Sequence, residues 1–377
     1  MPSYDLRCEI TECLDYQVLQ QQWRQLLDFS DASVFLSAEW LSSWLSLIDE
    51  VQPPELISIF DGQQLVALGL LHQTTLRRRG VFQRRVLYLN ELPIAGNHMV
   101  IEYNGLLAKR GDEDRAWQAL LGALAKHPGW DEIHLNCLAP STCQILSPPL
   151  LASLGFDHIV AESETIHFSH LPVDQPWLQV ERSVLSKNRR AQLRRSIKAY
   201  ELLADSQLHC VAAGSSKQAI EFFQQMGVLH TQYWQSKGKP GSFANPRWVR
   251  FHQSLIRDGF DSGTVQLLSI RAGDTVVGYA YNLCWRGMVY NIQSGLSYLA
   301  DKKFQPGYVC HYMAMRFNHQ LGASEYNLLA GEAGYKKILS NRQEQVEWLV
   351  LRLKKARLRF FLEDSLVYLV RKLRALT

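Results

Sequence analysis

Between Tyr16 and Phe29 the apolar residues Leu19, Trp23, Leu26 and Leu27 recur at helical spacing, and Ser37-Ala38-Glu39-Trp40 opens a second apolar helix through Leu47. After Pro53-Pro54 the pattern shortens to strand length: Leu56 to Phe60, the turn Asp61-Gly62, then Leu65 to His72. Asp-Gly favours the positive-φ turn of a hairpin, so these two runs predict paired antiparallel strands. Further strands are predicted at Arg85 to Leu89 and Glu132 to Asn136, with an amphipathic helix from Glu113 to Lys126 between them.

A polar stretch between Pro172 and Pro176 reads as a hinge, and a new pattern follows it. Helices are predicted at Ser183 to Tyr200, Ser216 to Lys237 and Pro246 to Ile256, with a strand at Leu208 to Ala212. Lys237-Gly238-Lys239-Pro240-Gly241 stops the second of these helices. The runs Thr264 to Arg271, Val276 to Trp285 and Val289 to Ser294, broken by Ala272-Gly273-Asp274 and Arg286-Gly287, predict an antiparallel meander. Phe304-Gln305-Pro306-Gly307 then opens a helix from Tyr308 to Leu321, before a short strand Glu325 to Leu328 and a small helix Ala333 to Leu339. The expected class is mixed α/β in three parts: 1–175, 176–345, and a basic amphipathic helical segment over 346–377.

At 377 residues the chain exceeds the usual size of one core, which agrees with two domains. A net charge of +4 is small for this length and gives no whole-molecule attraction to nucleic acid. The start, MPSYDLRCEITE, lacks the apolar core of a secretory signal, and no stretch approaches the ~20 apolar residues that span a bilayer, so a cytoplasmic location is expected. The seven cysteines are scattered and never spaced as C-x2-C, which argues against a zinc ribbon, a redox pair or a disulfide framework; no metal is expected.

The succession of three strands, helix, strand and helix, with Pro-Gly opening the central helix, resembles the core of the GCN5-related N-acetyltransferase (GNAT) fold. Four stretches bring the likeness closer to the tandem-GNAT group of CelD-like and BioF2-like acyltransferases, and more distantly to the FemABX peptidyltransferases. They are Phe35 to Leu41, the Arg-rich run Lys187 to Arg195, the element Leu229-His230 through Trp234 to Gly241, and Tyr290 to Lys336. The resemblance implies two GNAT-like domains, each a mixed, largely antiparallel sheet flanked by helices, with the donor site in the second and none in the first. Two positions depart from the family pattern: Tyr233 stands where an Arg is common, and Asn327 where the short strand often carries an acid. The usual Arg/Gln-x-x-Gly-x-Gly/Ala phosphate loop is also absent.

GNAT chemistry is direct attack of an amine on a thioester, for which a protein supplies positioning, oxyanion stabilisation and proton transfer. In that frame the strand after Val289 presents backbone groups to the donor's pantetheine arm, which places Gln293, Ser294 and Gly295 near the carbonyl, and Pro306, Gly307 and Tyr308 open a helix whose free N–H groups suit a pyrophosphate. Proline and glycine also punctuate ordinary loops before helices. Glu332 is the candidate to accept the amine proton, Tyr335 to protonate the departing thiolate, and Lys336 to hold a phosphate or carboxylate; their structural alternatives are a cap, a packed ring and a solvated charge. His230 and Trp234 lie one helical turn apart and are candidates for an acceptor pocket. Arg190 and Arg194 are likewise one turn apart on the basic helix, suited to clamp an anionic substrate or simply to face water.

The expected activity is therefore N-acyl transfer from acyl-CoA, with acetyl-CoA first among donors, to an amine on a small molecule or saccharide; the CelD-like resemblance implies envelope or exopolysaccharide biosynthesis as the setting. Two alternatives stand beside it: a FemABX-like transferase using aminoacyl-tRNA, the one nucleic-acid partner in view, and a catalytically silent GNAT-fold scaffold. The basic amphipathic C-terminal segment suits contact with the inner face of a membrane, or packing on its own protein.

Overall fold

The structure, a computed structural model, describes residues 6–13, 15–48, 53–78, 82–91, 101–127, 129–331, 333–363 and 365. The chain forms two compact units, residues 1–163 with 346–377 and residues 164–345.

In the first unit β1 (Arg7–Glu12) precedes α1 (Tyr16–Leu27) and α2 (Ala38–Leu45). Asp15 accepts from the N–H groups of Gln17 and Val18 to start α1, and Ser37 accepts from that of Trp40 to start α2. β2 (Glu55–Asp61), β3 (Gln64–Arg78) and β4 (Phe82–Leu89) make an antiparallel meander, with β5 (Leu107–Ala108) against β3. α3 (Glu113–Leu124) buries Ala116, Trp117, Leu120, Leu121 and Leu124, a stripe at helical period, and leads into β6 (Glu132–Leu138), which runs parallel to β4. Two single-turn helices follow, α4 (Pro140–Ile145) and α5 (Pro148–Ser153).

The first boundary between the units falls inside β7 (Phe156–His170). The second unit continues with α6 (Trp177–Val184), α7 (Lys187–Ala204), β8 (Leu208–Ala212), α8 (Ser216–Ser236) and α9 (Pro246–Gly259). Then come β9 (Val265–Ala272), β10 (Thr275–Trp285), β11 (Met288–Leu296), α10 (Pro306–Gln320), β12 (Glu325–Ala330) and α11 (Gly334–Ile338). β13 (Arg342–Leu353) holds the second boundary. Strand order in the first unit is β1-β2-β3-β4-β6-β13 and in the second β7-β12-β11-β10-β9-β8. Each unit thus has the same core order, an antiparallel meander, a helix and a parallel return strand, in a mixed and largely antiparallel sheet flanked by helices.

Three expectations are corrected. The second unit begins at Glu164 rather than 176, because β7 pairs with β12 from Ile166 to His170. The basic helix is two helices, since Ser186 leaves the helical region and accepts from the N–H of Arg189 to start α7 afresh. The segment after Val346 is a strand to Leu353 before it is a helix. Leu349 and Leu351, two apart, both enter the core of the first unit, with Leu353 packed on it, so a strand period overrides the helical one. The helix that follows includes 357–363 and belongs to that unit. Its Phe360 lies between the guanidinium groups of Arg84 and Arg352 at 4.9 and 4.5 Å, and Glu363 pairs with Arg84 at 3.1 Å. Leu358 and Phe361 are exposed on its other side, and the remaining C-terminal positions, Leu366, Leu369, Val370, Arg371, Lys372 and Arg374, lie outside the described residues.

Candidate functional site

In the second unit β11 and β12 run parallel for three residue pairs, Met288 with Glu325, Val289 with Tyr326 and Tyr290 with Asn327, and pair no further. What parts them is local. The side-chain oxygen of Asn327 accepts from the N–H of Leu329 at 2.9 Å, Leu329 takes a left-handed φ of 57°, and the register of β12 breaks between Asn327 and Ala330. A leucine in that region stores about 1–3 kcal/mol of backbone strain, which the Asn327 bond helps to hold. β11 meanwhile stays paired to β10 out to Leu296.

Where the strands separate lies a cavity of about 450 Å³. β11 lines it with Gln293, Ser294 and Leu296; α8 with His230, Tyr233 and Trp234; Ala330, Gly331, Ala333, Tyr335 and Lys336 line the side after β12, and Tyr298 completes the wall. Tyr233 stacks on Tyr298 with ring centroids 4.8 Å apart. Lys239 sits over the Trp234 ring at 5.7 Å. Gly241, at φ 70°, leaves no room for a Cβ, which would stand 2.7 Å from His230 and 2.9 Å from Trp234; the loop closes against the end of α8 only because it is glycine.

Residues 187–337 match the family model of the acetyltransferase (GNAT) domain. The second unit carries a GNAT domain. No curated protein matches the chain. Among solved structures, FemX is similar in fold at 10% identity over 93% of this chain and 99% of that one, with a TM-score of 0.58. The C-terminal domain of a putative lysylphosphatidylglycerol synthetase from Agrobacterium fabrum gives a TM-score of 0.52 at 10% identity, over 93% of this chain and 96% of that one. L-PGS from Bacillus licheniformis gives 0.51 at 11% identity, over 92% and 94%.

The GNAT cavity is electrostatically uneven. Burial pushes His230 down to about 4, so its imidazole is neutral, and its Nδ1 is buried without a hydrogen-bond partner among the described residues. Burial raises the Tyr335 phenol, which therefore stays protonated and able to donate. Lys336 donates from Nζ to the carbonyls of Leu329, at 3.5 Å, and Ala330, which ties α11 to the kinked end of β12. The Tyr335 ring stacks on His311 of α10, centroids 4.6 Å apart.

Of the residues picked from sequence, His230, Trp234, Gln293, Ser294, Tyr335 and Lys336 come together on this cavity. Gly307 reaches it indirectly: a Cβ there would stand 2.7 Å from the Tyr335 ring, so the first turn of α10 is the bed on which Tyr335 lies. Gly295 lies under α8, where a Cβ would run into the carbonyl oxygen of Met226. Pro306 and Tyr308 are buried in the same turn, and Tyr308 donates its hydroxyl to the carbonyl of Arg189 at 3.0 Å. Arg190 and Arg194 are not on the cavity. They face the buried carboxylate of Glu181, at 4.0 and 3.7 Å, which also accepts from the hydroxyl of Tyr312. Glu332 lies outside the described residues.

Sequence reading passed over Tyr298 and the polar layer beneath the cavity: His311, Tyr326, Asn282 and Asn291. His311 stands one helical turn after Gly307, the signal that was available; the asparagines sit in strands with no periodic mark. Among the described residues no cluster of His, Cys, Asp and Glu could hold a metal ion, and no helix is long and apolar enough to cross a membrane.

Proposed function

We propose that the second unit is an N-acyltransferase that moves an acyl group from acyl-CoA to an amine acceptor in the cavity between β11 and β12. The observation that carries this reading is the convergence of Tyr335, Lys336, His230 and Ser294 on a cavity opened by the divergence of two parallel strands in a GNAT domain. The acceptor nitrogen bonds to the acyl carbon while the carbon–sulfur bond breaks. Tyr335, kept protonated by burial, gives its proton to the departing thiolate and regains one from the amine once the new bond has made that nitrogen acidic. Lys336, at the kinked end of β12, supplies positive charge as the carbonyl oxygen and the sulfur gain electrons. The aromatic walls of Tyr233, Tyr298 and Trp234 suit an acceptor with an apolar or saccharide face.

A screen of primary amines and amino sugars against acetyl-CoA, followed by thiol release, tests this. Tyr335→Phe is expected to lower turnover by about 100-fold or more, the usual scale of a general acid, and Lys336→Ala by a comparable factor. Unchanged turnover in both, in folded protein, would remove these residues from the site.

The likeness in fold to FemX supports a second reading, in which the group transferred is aminoacyl and the donor aminoacyl-tRNA. A steep fall of activity with salt and a requirement for RNA distinguish it. The third, a silent scaffold, rests on Tyr233 and Asn327 in place of charged residues; measurable turnover removes it.

A further inference from the structure

Beneath the cavity is a hydrogen-bonded layer that catalysis, as described so far, does not use. The Ser294 hydroxyl, on the cavity wall, lies 3.2 Å from Nε2 of His311 and 3.1 Å from the side-chain oxygen of Asn291. On its far side His311 meets the hydroxyl of Tyr326 at 3.3 Å, and that hydroxyl meets the side-chain oxygen of Asn282 at 3.3 Å. The Asn291 amide nitrogen has three acceptors, the side-chain oxygen of Asn282 at 2.9 Å and the carbonyls of Tyr281 and Gln293 at 3.3 Å each, which fixes its oxygen toward Ser294.

Two proton arrangements satisfy this layer. If Tyr326 donates to Asn282, it accepts from Nδ1 of His311, whose Nε2 is then a bare acceptor, and the Ser294 proton goes to His311 or Asn291. If Tyr326 donates to His311, Nε2 donates to Ser294, and the Ser294 proton goes to Asn291. Both arrangements spend the Ser294 proton inward and leave an oxygen lone pair toward the cavity. With its proton held inside the layer, Ser294 presents an acceptor rather than a donor to the cavity. Full burial of His311, with Lys336 nearby, keeps the imidazole neutral and the arrangement intact.

We propose that the Ser294 hydroxyl receives an N–H of the acceptor amine, so that the nitrogen lone pair is left to face the acyl carbon, and that His311 is the positioning residue that turns the hydroxyl. This rests on the acyl-transfer reading above. It makes the acceptor a neutral amine bearing at least one hydrogen.

The test uses the full chain with acetyl-CoA and hydroxylamine, a small nitrogen nucleophile that is neutral at pH 7. Ser294→Ala is expected to lower the hydroxylamine-dependent rate of thiol release about 10- to 100-fold, the scale of one hydrogen bond made in the transition state. The dissociation constant of acetyl-CoA, from calorimetry, stays within about twofold, and Ser294→Thr, which keeps the hydroxyl, restores most of the rate. An unchanged rate in Ser294→Ala, or a loss that falls on acetyl-CoA binding instead, overturns the assignment. A separate readout needs no turnover: in histidine-labelled protein the nitrogen resonances of His311 should show a neutral ring from pH 5 to 8 and shift in Ser294→Ala. A ring that titrates in that range overturns the proposal by itself. A wild type that neither binds acetyl-CoA nor turns it over, with His311 neutral as expected, overturns the acyl-CoA reading and this role with it.

Discussion

Asn327 shows how one side chain shapes the site. Its family position often carries an acid, but its oxygen is committed to the N–H of Leu329, and that bond holds the kink that opens the cavity. Asn327→Leu should cost about 1–3 kcal/mol, the price of a buried N–H left without a partner, and should weaken donor binding as β12 relaxes; a urea titration and calorimetry check both. Buried histidines make the second unit sensitive to acid. Burial holds His230 down at about 4, and His252 and His311 at about 3, all in the second unit. Their folded values lie below the unfolded one, so their full contribution is present above the unfolded value near 6.5 and is lost as pH falls toward the folded values, where the unfolded chain binds the extra protons. Each histidine contributes a slope of up to ~1.4 kcal/mol per pH unit in that window. The buried carboxyls of Glu91 and Glu325, pushed up by burial to about 8 and about 7, oppose this trend because the folded chain binds their protons first. Urea midpoints should still fall between pH 7 and pH 5, less steeply than the histidines alone require, and midpoints that rise would contradict this balance. His230, Trp234, Tyr335 and Lys336 were legible because unusual residue types stood beside glycine-rich turns. Ser294 was legible as backbone only, because the direction of a hydroxyl proton depends on partners in α10 and β11.

At the scale of elements, α10 and the loop after α8 are placed by glycines at close approaches. Gly307 is helical, so alanine there suits the backbone, yet its methyl meets the Tyr335 ring. Gly307→Ala should destabilise by about 1–3 kcal/mol, the usual cost of overpacking, and lower turnover as the Tyr335 ring is displaced; unchanged stability and activity would mean that Tyr335 has room to move. The basic helix behaves differently from the reading its charge suggests. Arg190 is largely buried against Glu181, whereas the Arg194 side chain is 66% exposed. Arg190→Ala should therefore destabilise by about 2–4 kcal/mol, as breaking a buried pair does, and Arg194→Ala by less than about 1 kcal/mol, neither with a loss of turnover. A loss of turnover without destabilisation would return both to substrate binding. The meander β9 to β11 and α10 were readable to within a few residues because turn residues and period agreed. β7 was missed because Ala161 to Thr165 carries no apolar alternation, and β13 because leucines two apart were read among leucines four apart.

For the whole molecule, the family match falls within the second unit, while the first repeats the same core order. Length and the proline-bounded hinge gave two domains, but the return of 346–377 to the first unit is a long-range pairing that no local pattern announces. With a net charge of only +4, donor recognition must be local, so binding of an acyl-CoA should weaken only modestly with salt. The central claim, that the second unit binds an acyl donor beside Tyr335, is tested most directly by calorimetric titration of the folded chain with acetyl-CoA, a longer acyl-CoA and free CoA. The account predicts saturable binding of an acyl-CoA that is lost in Gly307→Leu; absence of binding to all three, or binding indifferent to Gly307→Leu, would contradict it.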